Sequence, residues 1–215
     1  MEARIDRVWT PRVAERGDDA EAGEGNAWIV GDDEEVIVID PGEDAVGVLD
    51  LVGDREILAV ICTHGHASHV TAAVEVAERD EAPVALHPAD LLHWRTAYPD
   101  TDPEIEMAEA GVFEVADIRL EVIHTPGHTR GSVSLYCEDL GVVFTGDALL
   151  ASGPAAHQGE FPDFPGQLTA IGEHLLALPA DTRILPGHGE ETTVAAAQKR
   201  FDSWVTAGPS LPGDG

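Results

Sequence analysis

The sequence predicts an α/β sandwich, although its pattern of strands and helices alone also fits other layered α/β folds. Three observations predict it. Strand-like and helix-like segments are mixed in both halves of the chain instead of being segregated. Several of the strand-like segments end beside a glycine and then a histidine or aspartate, and strand ends are where layered α/β proteins build their sites. The 215 residues, 43% hydrophobic and 25% charged, suffice for one sizeable core of ordinary composition.

The elements follow in order. Residues 28–31 (WIVG) and 35–40 (EVIVID) read as two strands around an acidic turn at Asp32 and Asp33. Asp40-Pro41-Gly42 stops the second strand, and 43–52 has apolar residues at helical spacing. Residues 57–63 (ILAVICT) form a buried strand, and a helix rich in Ala and Glu runs from Ser68 or His69 to Arg79. A short strand at 83–87 precedes a helix over 88–98. Two strands flank Ala116-Asp117, and 132–138 and 141–147 make another pair. An amphipathic helix over 164–178, a last strand at 183–188 and a final helix over 190–207 complete the pattern. No internal repeat interrupts it. Residues 1–207 are expected to form one domain, with 208–215, rich in Gly and Pro, as a flexible tail.

Composition narrows the partners. Acids outnumber Lys and Arg 41 to 12, a formal net charge of -29, with clusters at 15–24 and 32–35 that read as solvated loops. A surface so negative repels nucleic acid and anionic membranes, and neither is expected as a partner. The chain has no unbroken apolar run of the roughly 18 residues a membrane helix needs, and the start lacks a signal-peptide core. A cytoplasmic protein, monomer or homodimer, acting on a small molecule is the expectation. Cys62 and Cys137 sit in apolar strand-like runs and read as reduced core residues, with Cys62 packed beneath the histidine cluster.

The chemistry lies in the histidines, ten in all. His64, His66 and His69 share the segment Thr63-His64-Gly65-His66-Ala67-Ser68-His69, between a strand and a helix. In an extended loop, His64 and His66 reach one ion together. His69 opens the helix and points elsewhere, to a second ion or a supporting role. His128 follows Thr125-Pro126-Gly127, Asp147 follows Thr145-Gly146, and His188 follows Pro186-Gly187. A lone strand–glycine–histidine element is weak evidence, since single histidines are usually structural. Several in one chain point to a metal site, and neutral imidazoles are the usual holders of catalytic zinc. His87, His93, His124 and His174 lack such a setting and read as structural or surface residues.

In this order the motifs resemble the metallo-β-lactamase superfamily, and within it the glyoxalase II-like hydrolase branch. The resemblance runs from residue 35 to residue 192, including Asp40-Pro41-Gly42. It implies an αββα sandwich with the site at one edge. It also implies a first metal on His64, His66 and His128, Asp147 bridging two metals, and His69 and His188 on the second. Zn²⁺ is the expected ion, one held firmly and a second in question, with iron the other metal to consider.

The chain departs from the pattern at Ser68, where the family motif has an aspartate that ligates the second metal and holds the attacking water. A serine hydroxyl is a poor zinc ligand and no base near neutral pH. Serine also suits a helix N-cap, which gives Ser68 a purely structural alternative. In the branch it resembles, a metal-bound hydroxide attacks a carbonyl carbon and the metal stabilises the oxyanion. The implied substrate is a thioester, with Asp147 and Ser68 as the residues beside the water. The chain runs about one helix past His188, without the helical domain that holds glutathione in that branch, so another small thiol is expected. The loop from Ala151 to Phe164 would lie beside the site, with His157 and Phe161 as substrate contacts or as parts of an ordinary connection. Two other readings stay open. A single iron on His64, His128 and Asp147 would suit a persulfide dioxygenase-like reaction. Ser68 also admits a catalytically impaired family member.

Overall fold

The computed structural model describes residues 2–10, 25–155 and 163–208. The acidic run at 15–24, His157, Phe161 and residues 209–215 lie outside the described residues.

Two sheets form the centre. The first is six-stranded and runs in spatial order through β1 (Arg4–Thr10), β2 (Gly25–Gly31), β3 (Glu35–Ile39), β4 (Glu56–Ile61), β5 (Val84–Leu86) and β6 (Ile105–Glu106). Strands β1 to β3 pair antiparallel, and β3 to β6 pair parallel. The second sheet, also six-stranded, places β7 (Val112–Val115), β8 (Ile118–His124), β9 (Val133–Cys137), β10 (Val142–Gly146), β11 (Arg183–Pro186) and β12 (Thr192–Thr193) side by side. Only β10 and β11 pair parallel there.

Strand alternation decides the layers. Trp28, Val30, Ile37 and Ile39 turn inward and meet Leu120, Leu135 and Phe144 of the opposite sheet. Their neighbours Ala27, Ile29, Val36 and Val38 face outward. That outer face is covered by α1 (Ala45–Val52), α2 (Ala67–Val70), α3 (Ala73–Glu78) and α4 (Leu91–Ala97), with Trp94 in the cluster. Val143 and Ile184 face out of the second sheet against α5 (Phe164–Ala170), the turn of π-helix at Ile171–Leu175, and α6 (Val194–Ala207). The layers are helix, sheet, sheet, helix, the αββα sandwich of the resemblance. Among the described residues, no helix is long and apolar enough to cross a membrane.

Some boundaries differ from the sequence pattern, for physical reasons. Strand β1 carries Arg4, Asp6 and Arg7 and has no hydrophobic alternation, so its signal was absent; pairing along all of β2 creates it. The helix expected from Ser68 to Arg79 is split into α2 and α3. Gly42 causes the break: its N–H donates to the His69 carbonyl (3.1 Å), and its carbonyl accepts from Ala72 N–H (2.8 Å). Ser68 is not the N-cap. His66 holds that position in an extended conformation, and Ser68 is already inside the helix. The final helix starts at Val194, because Thr192–Thr193 pairs with β11 and Thr193 Oγ1 then caps the helix through Ala196 N–H. Cys62 and Cys137 are buried free thiols, as expected, and burial followed by the nearby Asp40 charge pushes the Cys62 thiol well up.

Candidate metal centre

The four loops that carry the expected ligands converge at one end of the sandwich. The end of β4 leads through Cys62 and Thr63 into the His64–His66 turn. Thr63 anchors it, donating from N–H and Oγ1 to the two carboxylate oxygens of Asp40, at 2.7 Å each. Thr63 Oγ1 also lies 3.1 Å from His64 Nδ1, which fixes the ring with Nε2 on its far side. Asp40 adopts φ 49, in the left-handed region that costs a non-glycine residue energy and often marks functional sites.

Asp40 has a further partner. Its Oδ2 lies 3.0 Å from His69 Nδ1. A carboxylate on one imidazole nitrogen sets the tautomer and frees the other nitrogen for an ion. His69 Nε2 is 3.4 Å from Asp147 Oδ2. His188 Nδ1 reaches Asp147 Oδ1 at 2.8 Å, and His128 Nε2 lies 3.7 Å from Asp147 Oδ2 and 3.2 Å from His66 Nδ1. Asp147 therefore stands between two groups. One is His64, His66 and His128; the other is His69, Asp147 and His188; within each, one ligand atom per residue lies within 4.8 Å of the others. A third grouping, Asp40 with His64 and His69, has the same closeness. Asp40 is placed as a support and not a ligand, since both its oxygens are engaged by Thr63 and the far nitrogen of His69.

His188 is held by the first sheet. Asn26 N–H donates to Gly187 O, and Asn26 Nδ2 donates to Pro186 O and Gly189 O. Gly187 permits the close approach, because a Cβ there would come within 2.6 Å of both Asp147 Oδ1 and His69 Cε1.

Electrostatics separate the groups. Burial, then the neighbouring imidazoles of His69, His66 and His128, push His64 well below its usual value, so it is neutral. Burial opposes charge on His69 too, yet Asp147 and Asp40 overcome it and push His69 up to about 10. Burial alone would raise Asp147, but His188 and His69 hold it well below the usual carboxylate range.

The residues fit a metal. His64 Nε2 is buried without a hydrogen-bond partner, in a cluster of imidazoles around a carboxylate. A buried unmet polar atom costs about 1–3 kcal/mol, and a cation is the partner that neutral imidazole nitrogen and carboxylate accept.

All six expected ligand residues, His64, His66, His69, His128, Asp147 and His188, are brought together. Ser68 is half-buried next to His69. His93, read as structural or surface, lies against the centre with its ring 5.1 Å from that of His66. His87 and His124 stack on each other at 4.5 Å, and His174 is exposed. Sequence reasoning missed the supports Asp40, Asn26 and Asp90. Asp40 had a signal, an acid at a strand end before Pro-Gly. Asn26 and Asp90 had none, because their partners are remote in sequence.

Comparison with known proteins identifies this arrangement. The chain belongs to the metallo-β-lactamase superfamily, whose family model matches residues 20–188. A probable metallo-hydrolase of Bacillus subtilis is 31% identical over 190 residues, covering 81% of this chain and 90% of that protein. A hydroxyacylglutathione hydrolase of Haemophilus influenzae is 28% identical, covering 85% and 93% respectively. A protein crystallised in a di-iron-bound form is 30% identical and superposes with a TM-score of 0.73, covering 82% of this chain and 93% of its own.

Proposed function

We propose that this protein hydrolyses a thioester of a small thiol at a metal centre, with the first ion on His64, His66 and His128 and a second position on His69, Asp147 and His188. The observation that carries this reading is the pair of ligand groups meeting at Asp147, with buried imidazole nitrogens facing them. The similarity to a hydroxyacylglutathione hydrolase supports the thioester class. Zinc suits the histidine-rich first group, and the di-iron relative makes iron the competing ion.

Bound ions would polarise the acyl carbonyl and bring the pKa of water to about 7. The protein's own groups supply the rest. Asp147 is held ionised, so it orients water and balances charge instead of taking a proton. Asp40 and Thr63 hold the His69 and His64 rings at their outer nitrogens. Ser68 stands where the superfamily motif has aspartate, and offers a hydrogen bond to water without a negative charge. The second position is accordingly the weaker one.

The test is a metal count and identity on protein purified without air, with thiol release followed over a panel of acyl thioesters and ring opening followed on a lactone and a β-lactam. The expected result is thioester hydrolysis that disappears in His128→Ala. One iron per chain with oxygen uptake on a persulfide would replace this reading with the dioxygenase one. Metal-loaded protein inert toward the whole panel would leave an impaired family member.

A further inference from the structure

Asp90 is fully buried at the entry to α4. An aspartate there usually accepts from the first-turn N–H groups of its helix. The Asp90 side chain makes no such bond. Its carboxylate turns to two other loops instead. Oδ2 accepts from Gly65 N–H at 2.9 Å and from Thr129 Oγ1 at 2.7 Å. Oδ1 accepts from Gly131 N–H at 2.7 Å. A buried carboxylate is costly unless hydrogen-bonded, and here three donors meet it.

The donors are informative. Gly65 lies between His64 and His66, on the loop after β4 of the first sheet. Thr129 follows His128, and Gly131 is two residues further, on the loop after β8 of the second sheet. One side chain from a third element thus ties together the two loops that carry the first ligand group. The fit is close: a Cβ on Gly131 would lie 2.7 Å from the Asp90 carboxylate, and one on Gly65 would lie 2.8 Å from the Asp90 carbonyl oxygen. The second group has separate supports, Asp40 behind His69 and Asn26 behind His188.

We propose that Asp90 is the positioning residue of the first metal group: by bridging the two loops, it sets the separation of His64 and His66 from His128 and so the affinity for the first ion alone. The inference rests on the metal reading above. Asp90 touches no ligand atom and acts through the N–H groups of Gly65 and Gly131 and the Thr129 hydroxyl.

Asp90→Asn tests it. The amide keeps the size but points an NH₂ group at donors from which a carboxylate oxygen now accepts. The first dissociation constant is read by chelator competition and by the cobalt spectrum, and the second on the same protein. His128→Ala and His188→Ala assign the two steps. Loss of a supporting group around a metal ligand weakens binding about 10–100-fold. That loss is expected in the first constant, with an altered first-ion spectrum and an unchanged second constant. Equal weakening of both ions, alongside a lower melting point of the metal-free protein, would reduce Asp90 to a general structural clamp and overturn the inference. So would wild-type affinity for the first ion. If Asp90→Asn does not fold, Thr129→Val removes one donor and leaves the two backbone ones. A several-fold loss confined to the first ion is then expected, and no loss or an equal loss at both overturns the inference. Wild-type protein that binds no ion would overturn the metal reading itself, and this inference with it.

Discussion

The His64, His66 and His128 group holds imidazoles only, whereas the His69, Asp147 and His188 group is built around a carboxylate. The first has no internal charge balance. His64 is driven neutral by burial and by its imidazole neighbours, and its Nε2 is left without a hydrogen bond. The second is balanced before any ion arrives, because His69 carries a proton between Asp40 and Asp147. An incoming cation meets a ready lone pair on His64 Nε2 in the first group. In the second it must displace a proton, and Ser68 adds no compensating charge. If these six residues hold two ions, the two positions are unequal, and the neighbours of the ligands would set the order of loading.

The largest effect should come from His128→Ala, which removes a first-group ligand. Hydrolysis should fall by more than the roughly 100-fold that marks loss of a mere supporting residue. Metal analysis should show the first ion gone. In His188→Ala the first ion should remain and the rate should fall less, so equal losses in the two variants would erase the comparison.

Asp40→Asn sharpens it from the side of the supports. The His69 ring loses its carboxylate partner, and second-ion affinity should drop about 10–100-fold. Asp40 bonds to Thr63, which in turn contacts the His64 ring, so the first ion should be weakened less. Chelator competition on the purified variant reads both constants.

Ser68→Asp should act in the opposite direction. A carboxylate beside His69 should tighten the second ion by about tenfold, the scale of one pKa unit of interaction. A titration showing no gain would mean that position 68 does not reach the second group.

A separate effect is on the stability of metal-free protein. His69 is raised from 6.5 to about 10 in the fold. Its contribution is therefore complete below about pH 6.5 and is lost as pH rises through about 10. His64 works the other way. Its folded value is depressed, so stability falls as pH drops below about 6.5 and the unfolded chain takes up the proton. Melting temperatures across pH 5 to 10, compared with His69→Gln and His64→Gln, separate the two contributions.

Much of this was legible in the sequence, because ligands at strand ends are a local pattern. Thr63-His64-Gly65-His66, Pro126-Gly127-His128, Gly146-Asp147 and Gly187-His188 each show strand, turn and ligand within a few residues. The layers were legible only through the family resemblance: alternation states the buried face in β8, whereas β2 and β3 are buried along both faces. What stayed hidden depends on distant contacts. Strand β1 exists through its pairing with β2, and the break between α2 and α3 exists through Gly42. Asp90 serves residues 25 to 41 positions away, with nothing in its own neighbourhood to announce it.

The central claim is that the two groups load in order, and it can be watched directly. Metal-free protein is titrated with zinc at neutral pH while the imidazole resonances of the histidines are followed by nuclear magnetic resonance. The first equivalent should move the signals of His64, His66 and His128 and leave His188 near its starting position, with the second equivalent moving His69 and His188. Simultaneous movement of both sets from the first addition, or movement of His69 and His188 first, would contradict the account.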